Sequence, residues 1–195
     1  NYQSLIEKAT FYAQNMTKYN INALFSYAEI FRHFNEWYVQ LWGESLGKKQ
    51  CHSELNVGLT PIGLIGPTDQ HSFLQLIVEG PRDKTVTFIK VADFNTELEI
   101  PATPLKYLES LSLLDDTKFS TLINMQADAI ITQLKELKFP LDIITLEKAD
   151  EENIGALMYS YELLTSLVGC MLDINAYDQP GVEEGKTILK NSLKK

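Results

Sequence analysis

The chain alternates between stretches with apolar residues three or four apart and short runs that are apolar throughout. This is the rhythm of helices alternating with buried strands. Leu5, Ala9, Tyr12 and Met16 follow a capping-box pattern at Ser4 and Glu7 and predict a first helix, which Asn20 breaks. Residues 21–26 (Ile-Asn-Ala-Leu-Phe-Ser) read as a short strand. A second helix is expected over 27–46, burying Ile30, Phe31, Phe34, Trp37, Tyr38 and Leu41, with Gly47 as its left-handed stop. Residues 48–56 are polar and predict a loop.

Downstream, 59–65 is a strand, and Gly66-Pro67-Thr68-Asp69 is a turn in which Thr68 or Asp69 caps a helix over 70–79. After a turn at 80–83, the β-branched run 85–91 is the clearest strand of the chain. Residues 95–112 are interrupted by proline and predict a surface excursion with some helix around 105–111. Phe119, Leu122, Ile123, Ile130, Leu134 and Leu137 mark a long amphipathic helix. A short strand over 141–146 precedes a helix over 151–168, which carries Ile154, Leu157, Met158, Tyr161, Leu164 and Leu167. A last helix is expected over 181–193. The pattern predicts an α/β fold, a three-layer αβα sandwich with a mostly parallel sheet, in a single domain over 1–195 without internal repeats. Ligands of such sheets gather at the carboxyl ends of the strands, where the 66–70 loop is one candidate, and the 177–181 turn, which opens onto a helix N-terminus, is also within reach of a ligand.

Composition narrows the class. At 195 residues and 45% hydrophobic, the chain is long enough for a sizeable core. It has no run of about 18 apolar residues, so no membrane-spanning helix is expected, nor does a secretory leader open it. A net charge of -9 without a basic cluster argues against nucleic acid and against an anionic membrane surface. A phosphorylated small molecule stays open, because a local site can be cationic in an acidic protein. Cys51 and Cys170 stand far apart and read as reduced thiols of a cytoplasmic protein. No metal triad is visible among His33, His52 and His71, and the first two read as structural or surface residues.

Three segments carry candidate chemistry. Over 169–186, an apolar stretch ends in Asp178-Gln179-Pro180-Gly181, and a helix follows with Lys186 in its second turn. The plainer reading of Lys186 is an ion pair with Glu183 on a solvent face. The segment Trp37-Tyr38-Val39-Gln40-Leu41-Trp42-Gly43-Glu44-Ser45-Leu46-Gly47-Lys48 puts Glu44 in the last turn of a helix, where the macrodipole opposes negative charge. Its plainer reading is an exposed glutamate beside Lys48. Gln40 lies one helical turn before Glu44 and could share its cleft. In Thr68-Asp69-Gln70-His71-Ser72-Phe73, His71 is expected in the first turn of a helix, where the dipole disfavours imidazolium.

Position by position, the three segments resemble the active-site segments of the glucose-6-phosphate isomerase family. The resemblance implies a sugar-isomerase (SIS) type domain and an aldose–ketose isomerisation of a hexose 6-phosphate through a cis-enediol. Glu44 maps to the family's catalytic base, His71 to its ring-opening histidine and Lys186 to the lysine that assists ring opening. Gln179 maps to the glutamine that helps hold substrate, and Gln40, by its place one turn before Glu44, joins it as a substrate-binding candidate. No metal or organic cofactor is implied. The family is homodimeric, so the resemblance implies that His71 serves the partner's site. The Gly-Gly-Arg motif and the Ser/Thr-rich phosphate loop are missing here. The chain therefore reads as the C-terminal part of the family's length, with a helix over 1–18 leading in from the N-terminal half. On its own it is expected to be inactive or nearly so. A noncatalytic sugar-phosphate-binding module is the alternative, and degraded catalytic positions would favour it.

Overall fold

The two most buried strands occupy the middle of the sheet, where both faces are covered. The computed structural model describes residues 2–102 and 106–194. In chain order the strands are β1 (Ile21–Ser26), β2 (Lys48–Lys49), β3 (Asn56–Val57), β4 (Thr60–Ile65), β5 (Lys84–Asp93) and β6 (Leu141–Lys148). The helices are α1 (Tyr2–Asn15), α2 (Arg32–Leu46), α3 (Gly66–Gln70), α4 (Leu74–Glu79), α5 (Phe119–Glu136), α6 (Glu151–Met171) and α7 (Pro180–Ser192). The main sheet is parallel throughout, in the order β4-β1-β5-β6. Helices α1, α2 and α6 share one core with Leu24, Ile89 and Leu146. Ile77 of α4 and Ala127, Ile131 and Leu134 of α5 share the other with Phe25, Val86 and Phe88. The three-layer αβα reading therefore holds.

Side-chain hydrogen bonds pin α2 to the sheet. Ser26 Oγ donates to Asn35 Oδ1 (2.7 Å), and Asn35 Nδ2 donates to the Leu64 carbonyl (2.8 Å). One helical turn on, Tyr38 Oη donates to the Asn22 carbonyl (3.2 Å). Further on, Trp42 Nε1 donates to Asn22 Oδ1 (3.1 Å), whose amide donates to Thr85 Oγ1 (2.9 Å). These buried groups must be paired to be tolerated, so together they fix the angle and depth of the helix. Gly63 of β4 makes the close approach possible, because a Cβ there would lie 2.7 Å from Asn35 Cβ. Gly63→Ala is expected to push the helix from the sheet and lower stability by about 1–3 kcal/mol, read as a reduced urea midpoint.

Several local expectations are corrected. Ser4 and Glu7 do not cap a helix; both lie inside α1, which is already helical at Tyr2, and Gln3 Nε2 donates to Glu7 Oε1 at 3.0 Å. Gly47 is not left-handed (φ -81°, ψ 86°); what restricts it is space, since a Cβ would meet the Gly43 carbonyl at 3.3 Å. The expected 48–56 loop holds the antiparallel β2–β3 ribbon, too short for any periodicity. The helix expected over 70–79 is two helices. α3 starts directly after β4, where Asp69 Oδ2 accepts the Ile65 N–H (2.7 Å), and a turn at 71–73 separates it from α4. In the excursion, helix appears as a single 3-10 stretch at Glu109–Leu114, while the expected helical position Leu105 lies outside the described residues. By length and composition α6 could span a bilayer, but it packs against α1 and α2 and buries Leu157, Tyr161, Leu164 and Val168. Its amino end is capped by Asp150, which accepts the Asn153 N–H (2.9 Å), so the carboxyl is held below its ordinary range.

Candidate active site

Helix α2 runs back along the sheet, from the carboxyl ends of the strands to their amino ends. Asn35 packs against Gly63 in β4, while Gly43 lies beside Pro61, near the start of the same strand. Glu44 is therefore at the amino edge. Helix α6 runs the same way, and after it the chain turns at 172–179 and delivers Gln179 to that edge. Gln179 Nε2 donates to Glu44 Oε2 at 2.9 Å, and Gln40 Nε2 donates to Oε1 at 3.4 Å. Two residues 135 apart in sequence thus meet on one carboxylate.

Glu44 and Gln179 border a cleft of about 430 Å³ lined also by Gly43, Lys48, Lys49 and Gly181, with Asn56 and Val57 of β3 closing it; Gln40 touches Glu44 from outside that lining. Glu44 is exposed at the mouth. Lys48, expected to pair with its carboxylate, instead donates Nζ to the backbone carbonyls of Glu44 and Ser45. Those carbonyls lack helical partners, and an ammonium there also complements the negative end of the helix. The Glu44 carboxylate is left to amide donors, which neither take its proton nor neutralise it. A carboxylate so held, open to a cleft with two lysines, can accept a proton from a bound molecule.

The remaining predicted residues stand elsewhere. His71 is not in the first turn of a helix; it is the residue after α3, its N–H donating to the Thr68 carbonyl (3.2 Å), so the dipole expected to act on it is not there. It lies past the carboxyl end of β4. Asp69 of the same segment borders a separate groove of about 310 Å³ with Arg32, at the start of α2. From Arg32 to Glu44 the helix rises about 18 Å, so His71 and Glu44 of one chain belong to opposite edges of the sheet. The imidazole of His71 has no hydrogen bond or ion pair among the described residues. Lys186 does not line the cleft either; its Nζ pairs with Glu183 Oε1 at 2.7 Å, the plainer of its two readings. The 177–181 turn, which opens onto the start of α7 as expected, belongs to the amino edge. Lys49 and Asn56 were not singled out from sequence, and Lys48 only as a neighbour of Glu44, because the ribbon that presents them has no readable pattern. Among the described residues, no group of three or more His, Cys, Asp or Glu could hold a metal ion.

The family model described as phosphoglucose isomerase matches residues 2–195. The glucose-6-phosphate isomerase of Campylobacter jejuni subsp. jejuni is 52% identical over 97% of this chain, which covers 45% of that relative. That of Rubrobacter xylanophilus is 38% identical over 87% of the chain and 38% of the relative. A crystal structure of a hypothetical protein from Thermus thermophilus superposes with a TM-score of 0.89 at 30% identity, covering 97% of this chain and 45% of that one. A glucose-6-phosphate isomerase structure from Chlamydia trachomatis, at 20% identity and a TM-score of 0.79, shares the fold. The chain thus spans less than half the length of these relatives. With the family model matched from the first turn of α1 to the end of the chain, this chain belongs to the phosphoglucose isomerase family.

Proposed function

We propose that, within a polypeptide of the relatives' length, this chain supplies the proton-transfer half of a glucose 6-phosphate to fructose 6-phosphate isomerase. The observation that carries the reading is the Gln179–Glu44 hydrogen bond, which joins two family segments distant in sequence on one open carboxylate. His71 and Lys186 open the pyranose ring by moving a proton between O1 and O5. The Glu44 carboxylate then takes the C2 proton, whose acidity the adjacent C1 carbonyl provides, and the O2 hydroxyl proton passes to O1 in the cis-enediol intermediate so formed. Return of the proton held by Glu44 to C1, with the C2 oxygen becoming the carbonyl, gives fructose 6-phosphate. The charge balances without an external oxidant or reductant. Both cysteines are free, which fits the cytoplasmic placement we assign.

The test is isomerisation in heavy water by the long polypeptide, followed by NMR. Deuterium appearing at C1 of fructose 6-phosphate, and at no other carbon, is the expected result. Conversion without any exchange would replace the enediol with a hydride shift.

The separation of His71 from Glu44 favours a site completed between two copies. If His71 serves the partner's Glu44, a mixture of inactive Glu44→Gln and His71→Asn subunits, co-refolded, recovers about a quarter of the wild-type rate, since half the dimers then carry one intact site of two. No recovery would assign both residues to the same subunit.

A further inference from the structure

Helix α6 ends in a left-handed residue that is not glycine. The Ile174 N–H donates to the Gly169 carbonyl (3.1 Å) and the Asp173 N–H to the Cys170 carbonyl (3.2 Å), the paired bonds that close a helix on a residue of positive φ. That residue is Asp173, at φ 57°. Glycine suits the position best, because a Cβ there crowds the following carbonyl oxygen. An aspartate kept in it directs attention to what its carboxylate holds.

It holds the loop of the β2–β3 ribbon. Asp173 Oδ2 accepts the His52 N–H (3.1 Å), and Oδ1 accepts from His52 Nδ1 (2.8 Å), across 121 residues of sequence. The Asp173 carbonyl accepts the Cys51 N–H (2.7 Å), and Gln50 Nε2 donates to the Leu172 carbonyl (2.9 Å). Residues 50–52 are thus fastened to residues 172 and 173. The His52–Asp173 pair lies in solvent, the imidazole 85% exposed, and such a pair adds little to stability. Its consequence lies in what the two sides carry. The ribbon brings Lys48, Lys49, Asn56 and Val57 to the Glu44 cleft. The turn is braced by buried Ile174 and by Asn175, which accepts the Tyr177 N–H (3.1 Å) and donates to Asp178 Oδ2 (2.8 Å). It ends in Gln179 on the Glu44 carboxylate.

We infer that Asp173 is a positioning residue for the Glu44 cleft, an inference that rests on the isomerase reading above. Through residues 50–52 it holds the lysine-bearing ribbon and the Gln179 turn at a fixed separation, so that a sugar phosphate meets walls already in place. Glu44 itself is set by α2, which Tyr38 and Trp42 pin to the sheet without help from the latch. Without the carboxylate, ordering of the walls falls to substrate binding, while the base stays where it was.

The test is Asp173→Gly in a polypeptide of the relatives' length. Glycine relieves the backbone as it removes the carboxylate, so a merely structural residue would give an unchanged or raised urea midpoint and an unchanged KM. Expected instead is a KM for fructose 6-phosphate raised about 10-fold, with kcat within about 2-fold and the midpoint not lowered. Electrostatics alone acts the other way, because loss of a negative charge near the cleft favours an anionic substrate. Asp173→Asn tolerates the left-handed backbone and keeps an acceptor for His52, and it is expected to bring KM back to within about 2-fold of wild type. A wild-type or lowered KM in Asp173→Gly would overturn the inference and leave the isomerase reading intact. Wild-type protein that binds fructose 6-phosphate without turning it over would sink that reading instead, and the same comparison made on Kd then decides the latch.

Discussion

Replacing Glu44 by glutamine in a polypeptide of the relatives' length lowers turnover of fructose 6-phosphate by about 10³-fold, while sugar phosphate still binds. The substitution changes little else. Glutamine is the same size, and its carbonyl oxygen can still accept from Gln179, whose amide reaches the carboxylate at 2.9 Å. The α2 carbonyls keep their donor in Lys48, because that contact is made to backbone. What disappears is the capacity to hold a proton between C2 and C1. A coupled assay with a parallel binding measurement reads both quantities, and turnover at the wild-type rate would remove Glu44 from the role of base. Inert wild-type protein that binds sugar phosphate would return the noncatalytic binding module.

Two residues earlier, Trp42→Ala is expected to give the largest loss of stability, about 3–5 kcal/mol. The indole is 1% exposed, packs edge-on against Tyr12 (ring centroids 5.6 Å apart) and holds Asn22 Oδ1 through its N–H. Alanine leaves a cavity at the α1–α2–sheet junction and takes away the donor to a buried acceptor. Trp42→Phe separates the two effects, because it restores most of the volume and leaves the acceptor unpaired, at about 1–3 kcal/mol. Urea titration checks both, with alanine losing clearly more than phenylalanine. Equal losses would mean that the hydrogen bond, and not the packing, carries the position.

Much of this was legible in the residues. The strands at 21–26, 85–91 and 141–146 announced themselves because a parallel sheet buries both faces and leaves continuous apolar runs. α5 and α6 were legible from their 3.6-residue period, and α7 from the Asp178-Gln179-Pro180-Gly181 turn that opens it. What periodicity cannot report is direction across the sheet. The rule that ligands collect at carboxyl strand ends covers the 66–70 loop, whereas α6 carries the chain to the opposite edge before the 177–181 turn begins. Glu44, Gln40 and Gln179 could be named from local pattern together with family resemblance, and they do converge. The position of His71 was misjudged because Gly66-Pro67 reads as a turn, whereas the proline sits in the first turn of α3 and starts the helix early. Lys49 was passed over, and Lys48 read only as a neighbour of Glu44, since a two-residue strand has no pattern to read.

Helix α7 buries none of its residues, and Val182, Ile188, Leu189 and Leu193 lie open along it. It begins one residue after Gln179, which holds Glu44, and it bears Lys186. Whatever comes to rest on those apolar side chains therefore decides where the lysine points and how firmly the glutamine is tethered. Docking and chemistry are then thermodynamically linked, and the binding free energy of that contact reappears as a property of the reaction. Under the two-copy site proposed above, dilution or a mild chaotrope that loosens such a contact is expected to lower turnover while the αβα core stays folded, which activity and circular dichroism measured together would check.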